Sequence, residues 1–167
     1  MAPPVRLVQI TRADQAEFIA AAMRSRKLHH PWVTPPIGPA TFQALATRSQ
    51  GPVHLRYVVR HARTGALVGF INITNIVRGF FHSAYLGYYA FTGHERQGLM
   101  RAALRLAVRL AFTELKLHRL EANIQPGNVA SIALVRSCGF QKEGYSPRYL
   151  KIRGRWRDHE RWAILAR

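Results

Sequence analysis

The sequence predicts an α+β domain, with a mixed, mostly antiparallel sheet of seven strands flanked by about four helices. Three observations predict it. Leu55–His61, Leu67–Val77 and His82–Phe91 alternate or run apolar and are joined by short glycine-bearing turns, the pattern of an antiparallel meander. The stretch Gln97–Lys116 carries Met100, Ala103, Leu104, Ala107, Leu110 and Ala111 at helical spacing. A strand-like run, Arg119–Ile124, follows that helix, and a helix between two strands can make them parallel neighbours in one sheet.

The remaining elements fall in order around these. Val5–Ile10 alternates as a first strand, and Thr11 or Asp14 can cap the helix that follows, which places Phe18, Ile19, Ala22 and Met23 on one face. His29-His30-Pro31-Trp32 breaks that helix. Pro31, Pro35, Pro36 and Pro39 mark a loop long enough to read as a binding-site wall, with a stiff connector packed on the core by Trp32 as the plainer reading. Thr41–Ser49 reads as a short helix. After Ile124, Asn128 is a plausible N-cap for a helix running to Cys138, and Gly139 supplies its left-handed stop. Phe140–Ile152 is a strand region interrupted at Ser146-Pro147, Arg153-Gly154 is a hairpin turn, and Trp156–Ala166 is the last strand. No repeat or linker divides the chain, so residues 1–167 read as one domain.

Charge is the strong compositional signal. Twenty-five Lys and Arg against eight Asp and Glu give +17, a field that attracts anionic partners: nucleic acid, a polyanionic cofactor or acidic protein. The cations are spread along the chain, which suits a basic surface on a folded domain better than a binding tail. Arg101, Arg105 and Arg109 form one stripe, read either as a solvated face or as a face tracking phosphates. No run of 18 apolar residues and no signal-peptide layout is present, so a cytoplasmic protein with no membrane partner is expected. Cys138 is the only cysteine, and at a helix C-terminus it makes a poor nucleophile. The histidines and the cysteine show no metal-ligand spacing, so no metal is expected.

The segment Leu86-Gly-Tyr-Tyr-Ala-Phe-Thr-Gly-His-Glu-Arg-Gln-Gly98-Leu-Met100 reads as a strand, a tight loop and a helix start. Loop N–H groups and a helix N-terminus, worth about half a positive charge, make an anion site suited to a pyrophosphate. Together with Leu117-His-Arg-Leu-Glu121-Ala-Asn123, Pro126-Gly-Asn128-Val-Ala-Ser131, Cys138-Gly-Phe140-Gln-Lys-Glu143-Gly144-Tyr145 and Gly154-Arg-Trp156-Arg-Asp158-His159, it resembles the GNAT acetyltransferase superfamily, and within it the RimJ/RimL-type ribosomal-protein N-terminal acetyltransferases.

The resemblance implies a GNAT fold and an acetyl-CoA-dependent transfer to a primary amine. The loop from Gly93 through His94, Glu95, Arg96, Gln97 and Gly98 to Leu99, with Met100 opening the helix, would hold the CoA pyrophosphate. Tyr89, Ala90 and Phe91 would pair with the pantetheine arm as an added strand, Asn128 would hydrogen-bond it, and Ser131 would lie near the thioester sulfur. Such loops usually read Gly-x-Gly; here Arg96 replaces the first glycine. A negative φ at 96 leaves the cradle intact, while a required positive φ would weaken CoA binding.

Direct transfer needs a neutral amine, a polarised thioester carbonyl and a proton for the leaving thiolate. Backbone N–H groups after Phe91 are candidates to polarise the carbonyl. The stretch Val129–Cys138 has no tyrosine, so Ser131 is the first candidate acid, with a capping role as its alternative and Tyr145 as the substitute. Glu121 is the candidate base, through water, with an arginine ion pair as its alternative. The base position of RimL-like relatives falls on Leu150. Asp158 and His159 read as structural or peptide-binding.

Acceptor choice should rest with the first helix, the His29–Pro39 loop and the final hairpin. Three functions remain open: acetylation of a protein N-terminus, with ribosomal proteins close to RNA as one acceptor class; acetylation of a small amine; or a non-catalytic module binding RNA or the ribosome. Monomer and homodimer remain equally open.

Overall fold

The computed structural model describes residues 4–48 and 50–167. Its elements are β1 (Val5–Gln9), a single 3-10 turn at Arg12–Asp14, α1 (Gln15–Arg24), α2 (Arg26–His29), α3 (Pro39–Thr47), β2 (Gln50–Gly51), β3 (His54–His61), β4 (Leu67–Val77) and β5 (Ser83–Ala90). There follow α4 (Leu99–Thr113), β6 (Arg119–Ile124), α5 (Val129–Ser137), β7 (Gln141–Ile152) and β8 (Arg155–Leu165). Seven strands lie along one path in the order β1-β3-β4-β5-β6-β8-β7, and the two-residue β2 adds to β3.

The pairing is antiparallel except between β5 and β6. That exception follows from chain length: α4 carries the chain back along the sheet, so β6 starts at the same end as β5. α4 packs its stripe of Met100, Ala103, Leu104, Ala107 and Ala111 on one face, over Val68, Ile71 and Leu120. α1 and α3 bury Phe18, Ala22 and Phe42 with Phe70 and Phe91 in a second cluster. Phe18 is the centre of that cluster, its ring within 5.3 Å of both Phe42 and Phe91. Burying one such ring contributes about 1.5–3 kcal/mol.

The boundaries depart from the sequence reading where local geometry decides. The first helix is prolonged past Ser25 by the single turn α2, whose last residue is His29, and the extended backbone of His30 ends it inside the expected His29–Trp32 break. α4 begins at Leu99, not Gln97, because Gly98 takes a left-handed φ of 72° and acts as the N-cap. β7 runs unbroken through Ser146-Pro147; the irregularity is a register shift between Ser146 and Leu150, with Arg148 at φ 48°. The short helix starts earlier, with Pro39 in its first turn, and ends at Thr47; Ser49, its expected end, lies outside the described residues. Asp14 accepts from the Thr11 N–H at 2.8 Å and from Arg60 at 2.7 Å, tying the start of α1 to β3.

Candidate active site

A cleft opens where β5 and β6 part. The two strands pair over three residues each, Ser83–Tyr85 with Arg119–Glu121. Beyond them β5 keeps β4 and β6 keeps β8, which leaves a gap between Leu86–Ala90 and Ala122–Ile124. Which backbone groups face the gap follows from alternation along β5. The His82 carbonyl accepts from His118 and Arg119 of the β6 side, whereas Phe91 N–H donates to Val68 of β4 at 2.8 Å. Tyr88 and Ala90 therefore turn their N–H and C=O groups to the gap, and Tyr89 and Phe91 turn theirs to β4.

This divides the expected pantetheine strand. Ala90 lies on the cleft side with Tyr88 beside it. Tyr89 stacks on Phe70 with centroids 5.0 Å apart, and the Phe91 ring is buried in the second core. The Ala90 carbonyl accepts from His29 Nε2 at 2.7 Å. The N–H groups after Phe91 are already engaged: Thr92 donates to Ser25 Oγ at 2.9 Å and Gly93 to the Glu95 carboxylate at 2.7 Å. The Ala90 N–H is thus the cleft-facing donor at this end of β5.

At the far side of the cleft stands the start of α4. Its first intrahelical bond joins Ala102 N–H to the Gly98 carbonyl, and no side chain caps the end. The N–H groups of Leu99, Met100 and Arg101 consequently have no intrahelical partner, at the positive end of a fifteen-residue helix. Arg96 has φ 58°, the left-handed conformation that costs a non-glycine residue roughly 1–2 kcal/mol. The positive-φ case is the one realised, yet Arg96 and Arg101 both line the cavity. Glu95 serves the loop itself. Hydrogen bonds from its own N–H, then from those of Gly93 and His94, hold its carboxyl below the usual range. Gln97 completes the loop by donating to the Gly93 carbonyl at 3.2 Å.

α5 forms the opposite wall. Asn128 Oδ1 accepts from Ser131 N–H at 3.2 Å and caps the helix, leaving its amide nitrogen for another acceptor. Ser131 Oγ lies 2.7 Å from the Tyr88 hydroxyl, which also reaches the Ser131 carbonyl at 3.2 Å. Burial pushes the Tyr88 phenol above its ordinary value, so it stays protonated and can donate. Tyr88 had a place in the sequence motif but no role. The available signal was its alternation with Ala90, which has meaning only once the gap beside β5 is known.

These groups surround a cavity of about 740 Å³, running from Arg96 and Gly98 past Tyr88 and Ala90 to Ser131. It shares Trp32, Tyr88, Asn128 and Ser131 with a smaller one of about 110 Å³, which reaches between the strands to Asn123, Gln125 and His159. A third, of about 850 Å³, meets the first at His29 and Val33 and is lined by Ala22, Arg26 and Lys27, by Pro35 and Ile37, and by Arg153. The first helix, the proline-rich loop and the hairpin turn thus meet at one cavity. The loop is a wall in fact: Trp32 borders two cavities, and a Cβ on Gly127 would lie 3.1 Å from its ring.

Other sequence candidates divide between the cavity and the surface. Glu121 is paired with Arg119 at 2.9 Å, and Arg119 also holds Glu143. Tyr145 is half exposed on β7 and donates to Asp158. Leu150 is 40% exposed on the same strand. His118 is exposed at the far end of β6, and His94 lines the cavity of about 740 Å³. Of the arginine stripe, Arg101 borders the cavity and Arg105 reaches the Ser137 carbonyl at 3.4 Å. Burial raises the Cys138 thiol above its ordinary value, which suppresses the thiolate. Among the described residues no helix is long and apolar enough to cross a membrane.

An open helix N-terminus and a cleft-facing strand edge, set at one split between parallel strands, define a class. The chain belongs to the acetyltransferase (GNAT) domain family, whose profile matches residues 5–141. It is 44% identical over 93 residues to the [ribosomal protein uS5]-alanine N-acetyltransferase of Escherichia coli, covering 56% of this chain and 48% of that protein. The chain spans about half the length of the curated relatives it matches. Among solved structures it resembles Mycobacterium smegmatis RimJ in complex with CoA-disulfide, with a TM-score of 0.87 and 29% identity over 97% of this chain and 82% of that one. It shares a fold with a spermidine N-acetyltransferase from Vibrio cholerae, solved with CoA and spermine, at a TM-score of 0.82 and 23% identity, covering 98% of this chain and 96% of that one.

Proposed function

We propose that this chain transfers the acetyl group of acetyl-CoA directly to a primary amine, the N-terminal α-amine of a protein, with ribosomal proteins as the favoured acceptor class. The observation that carries this reading is the convergence on one cavity of the uncapped α4 N-terminus, the gap-facing Tyr88–Ala90 edge and the Ser131 hydroxyl. The N–H groups of Leu99–Arg101 with Arg96 and Arg101 suit a pyrophosphate. The Ala90 and Tyr88 backbone suits an amide-bearing arm laid along the strand. The Ala90 N–H suits polarisation of a thioester carbonyl, and the Ser131 hydroxyl suits protonation of the departing sulfur.

Charge supports a protein acceptor over a polyamine. Arg26, Lys27 and Arg153 around the 850 Å³ cavity would repel a polycation and accept an uncharged or acidic peptide. The likeness to the uS5-alanine enzyme and to RimJ supports the ribosomal choice.

The test is calorimetry with acetyl-CoA, followed by mass spectrometry of peptides beginning with alanine or serine, and of spermidine, after incubation. Acetylated peptide is the expected product. Acetylated spermidine alone would move the acceptor to small amines. Absence of CoA binding would leave a GNAT-fold module for RNA or the ribosome.

A further inference from the structure

We propose that His159 is the group that takes the proton of the attacking amine. The inference rests on the transferase reading and adds a residue to it. His159 lies on β8 just past the last paired residue of β6, at the mouth of the split. It is 3% exposed and borders the small cavity that Ser131 and Tyr88 also border. The lining of one cavity of about 110 Å³ thus carries both a candidate acid and an imidazole.

The tautomer follows from the hydrogen bond. His159 Nδ1 lies 2.9 Å from the Arg157 carbonyl, and a carbonyl can only accept. Nδ1 therefore carries the hydrogen, and Nε2, on the other side of the ring, holds the lone pair. Burial lowers the imidazole below its ordinary value, opposed by the Arg157 hydrogen bond and the Asp158 charge, so the ring is neutral near pH 7.

The groups around it leave that lone pair free. On β8, the Asp158 carboxylate is held by Tyr145 and by the Arg148 N–H at 2.8 Å, and Glu160 by Lys142 and the Trp162 N–H. On β7 the Tyr149 ring stands edge-on, with centroids 6.3 Å apart. Tyr88 and Ser131 face it from β5 and α5, Trp32 and Gln125 from the loops. The other buried histidine, His29, spends Nε2 on Ala90, and its Nδ1 is sealed within the protein.

The step balances. The ammonium gives one proton to His159 Nε2, and the neutral nitrogen attacks the thioester carbon. The C–N bond forms and the C–S bond breaks. The nitrogen loses its second proton as the amide forms, and the thiolate gains one through Ser131. The products are an amide, a thiol and one proton on His159, which passes to water.

His159→Asn keeps a donor for the Arg157 carbonyl and removes the base. With a synthetic hexapeptide beginning with alanine, kcat/KM at pH 7 should fall about 10²–10⁴-fold, while KM for acetyl-CoA stays within about threefold. The acidic limb of the wild-type pH profile should be lost, and the rate should climb with pH as the amine deprotonates itself. A parallel loss at every pH, or activity within about threefold of wild type, overturns the role. An unfolded variant shifts the decision to the wild type: the His159 imidazole, titrated by NMR with CoA bound, should match the acidic limb, and a mismatch above about one unit overturns it. A wild type that acetylates neither the peptide nor spermidine overturns the transferase reading instead.

Discussion

The hydroxyls of Tyr88 and Ser131 lie 2.7 Å apart, one on the free edge of β5 and the other in the first turn of α5. Two elements on opposite sides of the cleft are thereby joined, and under the proposed reaction this pair protonates the departing sulfur. Tyr88→Phe should lower kcat about tenfold with KM for acetyl-CoA unchanged, and Ser131→Ala should lower it about a hundredfold. The double variant should be no slower than Ser131→Ala alone, since Tyr88 acts through Ser131. Steady-state rates on the four proteins decide it; fully additive losses would separate the pair.

The uncapped start of α4 should bind CoA, and the affinity should weaken as salt rises, because Arg96 and Arg101 line the same cavity. Arg96→Gly supplies a residue at ease with φ 58° but removes one charge. Calorimetry at two salt concentrations should show that this variant still binds CoA, with a shallower salt dependence. Lost binding would mean that the guanidinium, rather than the helix end, holds the phosphates.

Gly69 is demanded by packing. A Cβ there would lie 2.6 Å from Met100 Sδ and 2.7 Å from the Tyr89 carbonyl. The methionine tip can move, but the strand carbonyl cannot, so Gly69→Ala should destabilise the fold by about 1–3 kcal/mol. The midpoint of urea unfolding reads this directly. Because Met100 opens α4, CoA affinity should drop as well.

Acid should act in two stages. His29 and His159 are lowered by burial, so the unfolded chain binds their protons more readily; that stability is complete above about pH 6.5 and is lost as pH falls toward their folded values. Glu143 is held low first by Arg119, and Glu160 first by Lys142. Their contribution is present above the unfolded carboxylate value of about 4.3 and is lost as pH falls through their lower folded values. Urea midpoints between pH 8 and pH 3 should show both declines (pH range approximate).

The order of elements, the β3–β5 meander and the parallel β5–β6 pairing were legible in the sequence, but not the pairing of β1 with β3 or of β6 with β8. The alternation of β3, β4 and β5 with short turns, and the long apolar stripe of α4, depend on local periodicity and on chain length between strands, both properties of the sequence itself. The Gly93–Leu99 loop and the Asn128 cap were legible for the same reason: a left-handed turn, an uncapped helix start and an N-cap are each made within a few residues.

What only the tertiary structure decided is which distant side chains meet. Glu121 sits two residues from Arg119, and the pair closes on Glu143 of β7 instead of opening on the cleft. Ser25 and His29 lie far from β5 in sequence, yet they reach across to Thr92 and Ala90 and take up backbone groups that a linear reading leaves free. Tyr88 finds Ser131 forty-three residues away, and His159 comes to their cavity because β8 lies beside β6. Local periodicity sets the elements; the split between β5 and β6, created by long-range pairing, sets the site.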